Sequence, residues 1–187
     1  MKQKSRLGRI SIISLAGLAA LGLMVASQTR LSAFAQEAFA AEALFSAPAG
    51  WTQGQTFGSV RSWKGEADRK AYISTMEDDS IKGDVPTSND KEFIEVTKSA
   101  SEIPNQFAGI KDWKVEKLER AKLSNGHKIV LIGTYQSAKG ELIRFEEWKY
   151  FLKDGYGQIN YSELAGPKAR DRAQVAEILK RYHPFGS

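Results

Sequence analysis

Apolar residues in the second half of the chain fall into runs of strand length. HKIVLIGTYQ (127–136), ELIRFEEWKYFL (141–152) and GQINYSEL (157–164) are separated by SAKG and KDGY. Ile129, Val130, Leu131 and Ile132 are apolar on both parities, which predicts a central strand covered on both faces. Asn125-Gly126 precedes them, a pair suited to a two-residue type I′ turn, and residues 113–123 lie before it. Trp113 and Val115 share a parity that Leu118 breaks, predicting a bulge in that run or a strand that changes partner. The expectation is a four-stranded antiparallel meander. Upstream, residues 56–64 and 70–77 carry Phe57, Trp63, Tyr72, Ile73 and Met76 around GEAD and predict a hairpin.

Two stretches change period. Asn89 and Glu92 have capping-box spacing, and Phe93, Val96 or Thr97, Ala100 and Ile103 recur at helical intervals up to Pro104. Phe107 and Ile110 then read as anchors against the sheet. A second helix is expected from near Pro167, with Val175, Ile178, Leu179 and Tyr182 on one face and Pro184 as its stop. An apolar helical stripe requires an apolar partner, and the sheet face is the surface available. The pattern therefore predicts an α+β fold.

The first 35 residues contain no acid, begin with Lys2, Lys4, Arg6 and Arg9, and run uncharged from 10 to 26. This is the pattern of an export signal, with Ala33-Phe34-Ala35 as the cleavage pattern and 38–40 as a competing one. The uncharged run is shorter than the roughly 20 residues that span a bilayer, so cleavage is favoured over a retained anchor. The expected division is a signal peptide over 1–35, an Ala-rich linker over 36–44 and a single domain over 45–187.

Cleavage changes the charge. The chain holds 27 Lys plus Arg against 22 Asp plus Glu, and Arg30 leaves with the four cations named above, so 22 face 22 in the remainder. A balanced surface lacks the cationic excess that nucleic-acid binding requires. The chain has no cysteine, so the expected domain rests on burial alone, with no disulfide and no lipid-attachment thiol. The expectation is an exported protein, periplasmic or extracellular, with no stable membrane anchor after cleavage.

Candidate chemistry is sparse. The two histidines, His127 and His183, have no second ligand at metal spacing, so neither a metal site nor a His-based triad is expected. Glu77, Asp78 and Asp79, with Asp84, lack the alternating acids of a calcium loop. Glu146 and Glu147 are adjacent in a strand and point to opposite faces, which excludes a glycosidase-type pair. Arg144 and Glu146 share a parity and predict a surface ladder of alternating charge. Trp51, Trp63, Trp113 and Trp148 are expected mostly in the core, with one of them, beside Tyr150 or Tyr156, free to rim a binding face. Gly155 and Gly157 read as turn glycines. No catalytic, cofactor-binding or metal residues are assigned, and no enzyme activity or cofactor is expected.

The start FSAPAGW, the meander ending in GQINY, the aromatic strand FEEWKYFL and the terminal ARDRAQVAEILKRYHPF together resemble the PsbP-like family, which includes periplasmic DcrB-like proteins. The resemblance covers residues 45–185. It implies an α/β/α sandwich, a central antiparallel sheet with helices on both faces. It also implies an accessory or docking role on an envelope or membrane-associated complex, with no shared catalytic set. A small-ligand or lipid carrier, with an apolar cleft between sheet and helix, is the alternative. A carboxylate-dependent hydrolase is a third reading, requiring Glu146, Glu147 or the acids at 77–79 to be buried beside an anion-stabilising group.

Overall fold

The structure, a computed structural model, describes residues 45–186 except 55, 57, 82–84 and 86. The expected signal peptide, its cleavage position and the linker lie outside these residues, as do Phe57 and Asp84.

Seven strands form one antiparallel sheet: β1 (Thr52–Gln53), β2 (Val60–Lys64), β3 (Tyr72–Asp78), β4 (Lys111–Leu123), β5 (Gly126–Gln136), β6 (Leu142–Leu152) and β7 (Tyr156–Leu164). Their order across the sheet is β1-β2-β3-β7-β6-β5-β4. The meander β4 to β7 forms as the sequence predicts, and β7 closes against β3. Register shifts between Lys111 and Lys114 and between Val115 and Lys117 supply the bulge that brings Leu118 onto the same face as Trp113, Val115 and its cross-strand partner Leu131.

Among the described residues two α-helices accompany the sheet, α1 (Asp90–Phe107) and α2 (Arg172–Leu179). The expected sandwich, with helices covering both faces, is not what forms: strand accounts for 46% and helix for 18%, and the architecture is that of a single sheet. The physical reason lies in the sheet's composition. Alternate residues point to opposite faces, and Val130, Trp148, Ile159 and Tyr161 form with α2 a continuous apolar cluster on what we call the front face. On the back face, Ile129, Leu131, Phe145, Phe151 and Tyr156 cluster with Phe93 of α1. On β2, β3 and β7 that cluster takes in Val60, Met76 and Tyr156, but Ser62, Tyr72, Ser74, Gln158, Asn160 and Ser162 make the rest of the back face polar and offer an amphipathic helix little more to bury.

Several local expectations are corrected. Leu123 pairs with Gly126, so Ser124 and Asn125 make the turn; neither has a positive φ, which excludes type I′. Gly126 is required for another reason, since a Cβ there would run into the carbonyl of Phe151. Helix α1 continues past Pro104 to Phe107, which is 86% exposed and anchors nothing. The second helix begins at Arg172 instead of near Pro167. Asp171 caps it, accepting a hydrogen bond from Gln174 N at 2.9 Å, while the Gln174 side chain accepts from Asp171 N at 3.2 Å. Its predicted apolar face is buried as read, at Val175, Ile178, Leu179 and Tyr182. Gly157 lies inside β7, where a Cβ would stand 2.5 Å from Pro184 Cβ; it allows the C-terminal segment to approach and is no turn glycine.

Candidate functional site

A cleft of about 420 Å³ opens between α2 and the front face, lined by Glu119, Lys128, Val130, Glu146, Trp148, Arg172, Ala173, Ala176 and Lys180. Strands β4, β5 and β6 supply the floor, because Glu119, Val130 and Trp148 are register partners across them. Small residues on the near side of α2, Ala173 and Ala176, leave the space open.

Trp148 is the centre of this floor. Its indole N–H donates to Glu146 Oε1 at 2.7 Å, two residues along the same strand. Lys128 Nζ stands 4.1 Å from the centroid of the Trp148 ring, a cation–π arrangement. Arg172 pairs with Glu119 and holds its Nε 4.0 Å from Glu146 Oε2. These surroundings move the acids in opposite directions. The Arg172 and Lys117 hydrogen bonds hold the Glu119 carboxyl at about 2, whereas burial pushes that of Glu146 up. Burial also pulls the Lys128 ammonium down. Among the described residues, no carboxylate lies within ion-pairing distance of Lys128.

The expected surface ladder through Arg144 and Glu146 is not present. Arg144 Nε donates to Glu163 Oε1 at 2.9 Å, and Glu163 is fully buried. Its other oxygen, Oε2, accepts no hydrogen bond but is balanced by Arg170 Nη1 at 3.6 Å. Burial selected these partners, since a carboxylate removed from water requires cations and donors around it.

Glu147, on the back face, belongs to a different arrangement. Lys149 Nζ donates to Glu147 Oε1 and Gln158 Oε1, each at 3.0 Å, and meets Tyr156 OH at 3.3 Å; Tyr156 OH donates to Gln158 Oε1 at 2.6 Å. Lys149 is 4% exposed. In the adjoining register row, Ser62, Ser74, Asn160 and Glu147 stand side by side across β2, β3, β7 and β6. The next row holds Tyr72 and Ser162. Sequence reasoning missed this polar block. Its signal was the alternation of Gln158, Asn160 and Ser162 with Ile159 and Tyr161.

The other candidates remain apart. His127 lines a separate hollow of about 230 Å³ with 122–126 and 151–153, and His183 is far along the chain on an exposed bend. Glu77 accepts from Phe185 N at 3.3 Å, and burial pushes its carboxyl up; Asp78 faces the other way and binds Ser80 N at 2.9 Å. Among the described residues no group of three or more acids, histidines or cysteines is placed to hold a metal ion. Trp63 and Trp148 are buried, while Trp51 and Trp113 pack against the core partly exposed. Tyr150 and Tyr156 are buried and rim nothing; Trp148 is the aromatic that meets the cleft. No helix among the described residues is long and apolar enough to cross a membrane. The chain matches no protein-family model, and no curated protein matches it.

Proposed function

We propose that this is an exported, non-catalytic accessory protein that docks onto a partner in an envelope or membrane-associated complex, and that the cleft beneath α2 receives an acidic side chain of that partner. The observation that carries the reading is Lys128: a half-buried ammonium on the face of Trp148, with no carboxylate at pairing distance among the described residues. The nearest carboxylates, Glu119 and Glu146 in the same cleft, act on this half-buried cation only from beyond pairing distance, and a carboxylate arriving from outside could pair with it directly. The resemblance to PsbP-like proteins and the leader-like first 35 residues support the accessory role and the compartment. Five of the nine lining residues are charged, which disfavours the lipid-carrier alternative, since lipid chains require an apolar lining.

The test is affinity capture from envelope extract by the wild-type chain and by Lys128→Glu, which leaves the Trp148 floor in place. A partner captured by the wild type and lost with the variant is the expected result. Capture indifferent to the sign of this charge would refute the reading.

One observation favours a second reading, a carboxylate-dependent hydrolase. Glu146 is buried, its carboxyl is pushed up, and Arg172 lies nearby, as a general acid beside an anion-stabilising group would require. The only other carboxylate in the cleft, Glu119, is occupied by Arg172 and Lys117, so the docking reading is preferred.

A further inference from the structure

We infer that the hollow at the end of the β4–β5 hairpin binds a small oxyanion of the phosphate class, held by Lys122, His127 and Lys153. This site is separate from the cleft beneath α2. His127 pairs across the strands with Phe151, a member of the back-face cluster, whereas its neighbour Lys128 pairs with Tyr150 and meets Trp148 on the front.

Separate segments of the chain converge on this hollow. Lys122 and His127 are register partners on β4 and β5, so their side chains leave the same side of the sheet with Cβ atoms about 5 Å apart. Phe151 continues that row on β6 and supplies an apolar wall. The turn after β6 brings in Lys153, whose backbone N–H donates to the Asn125 carbonyl at 3.0 Å and ties this turn to the one between β4 and β5. Ser124 and Asn125 also line the hollow, adding a hydroxyl and an amide.

The lining carries two ammonium groups and an imidazole, and no acid. Among the described residues neither Lys122 nor Lys153 pairs with a carboxylate, in contrast to Lys117 and Arg120 on the same hairpin. Asp154, next in the turn, is exposed and lies outside the lining. Like charges around one concavity repel each other, and an anion seated between them converts that repulsion into attraction. Both lysines are exposed, so solvent and salt screen the attraction and binding is modest and salt-dependent.

Size and shape narrow the ligand. The hollow holds about 230 Å³, below the roughly 300–1,000 Å³ of pockets that take drug-sized molecules. At about 30 Å³ per water, it has room for one compact ion and a few waters. A carboxylate presents two oxygens in a plane. A phosphate group presents three or more around a centre, with a charge near −2, which suits donors that arrive from β4, β5 and the turn after β6.

The test is a titration of the ¹⁵N-labelled full chain with inorganic phosphate, followed by amide NMR at constant ionic strength with chloride as the balancing anion. Saturating shifts at Asn125, Gly126, His127 and Lys153 are expected. Binding should weaken at least threefold in Lys122→Ala and in Lys153→Ala, at least tenfold in the double variant, and not at all in Lys128→Glu. Both lysines are exposed, so the variants should fold, and circular dichroism verifies it. Glycerol 3-phosphate, a free monoester, and glycerophosphoglycerol, the deacylated headgroup of an anionic lipid, are compared in the same way. Tighter binding of the first identifies a free phosphate as the natural source, and tighter binding of the second a lipid headgroup; either supports the site. Three results would overturn the inference: shifts that chloride alone reproduces, which reduce the hollow to a screened charge cluster; binding that survives the double lysine substitution; or equal weakening in Lys128→Glu, which makes the attraction a property of the whole surface. None of these depends on whether the cleft docks a partner.

Discussion

The two faces of the sheet are made by the same strands and solve burial in different ways. On β7, Ile159 and Tyr161 point forward into an apolar cluster completed by Val175, Ile178 and Leu179 of α2, while Gln158, Asn160 and Ser162 point backward into a polar one. The front face gains stability from apolar area removed from water. The back face has an apolar cluster of its own around Ile129, Leu131 and Phe93, and beside it a polar block whose hydrogen bonds and ion pair largely compensate their own desolvation and contribute little net stability. This difference sets the scale of what substitutions on each side should do.

The largest effect is expected within one dipeptide of β7. Ile159 is fully buried, and Ile159→Ala should lower the unfolding free energy by about 2–5 kcal/mol through lost transfer energy and a residual cavity. Asn160→Ala, one residue on, should change it by less than about 1 kcal/mol, because among the described residues its amide makes no hydrogen bond to lose. Urea denaturation of both variants checks this, and similar losses at the two positions would erase the proposed distinction between the faces.

Lys149→Met should come next, at roughly 3 kcal/mol, because Glu147 would be left largely buried without its cation. Adding Glu147→Leu should restore most of that loss, since an apolar pair replaces a compensated one. A double variant no more stable than the single would show that the ion pair is not the cause.

The smallest effect concerns pH and the front-face cleft. Burial raises the carboxyl of Glu146 above its ordinary value, so the stability this group contributes is fully present below about pH 4.5 and is lost as pH rises through its folded value. Glu146→Gln keeps an acceptor for the Trp148 indole and removes the charge. The variant should therefore be more stable than wild type at pH 7 and indistinguishable from it near pH 4. Thermal melts at the two pH values measure this, and a variant less stable at pH 7 would mean that Arg172 compensates the charge more fully than burial penalises it.

Much of the fold was legible because it depends on local pattern. The runs at 127–136, 141–152 and 157–164 became β5, β6 and β7 with ends shifted by a residue. Asn89 caps α1 as predicted, its Oδ1 accepting from Glu92 N at 3.1 Å, although the Glu92 carboxylate turns to Thr87 at 2.8 Å. The two-residue β1 carries no periodic signal of its own. Helices covering both faces were implied by the resemblance and are not what forms, whereas apolar Ile129 to Ile132 predict only a central strand, and they lie in β5. The candidate sites were less legible because they depend on register between distant segments. Nothing local places Ser74 beside Asn160, or Arg172 beside Glu119, and no residue in either pair belongs to a recognisable motif. The parity of Gln158, Asn160 and Ser162 was readable, but without knowing that β3 lies alongside, three polar residues in a strand mark an outer face as readily as an inner one.

The bridge between Phe45 and Tyr182 fastens the first described residue to the region just beyond α2. Polypeptide entering at 45 and leaving after 186 therefore does so on neighbouring parts of the surface. Fusions made at the two ends would be close enough to report on each other by energy transfer, and a short peptide joining them would permit new termini to be cut into an exposed turn such as 137–140 while the sheet order is preserved.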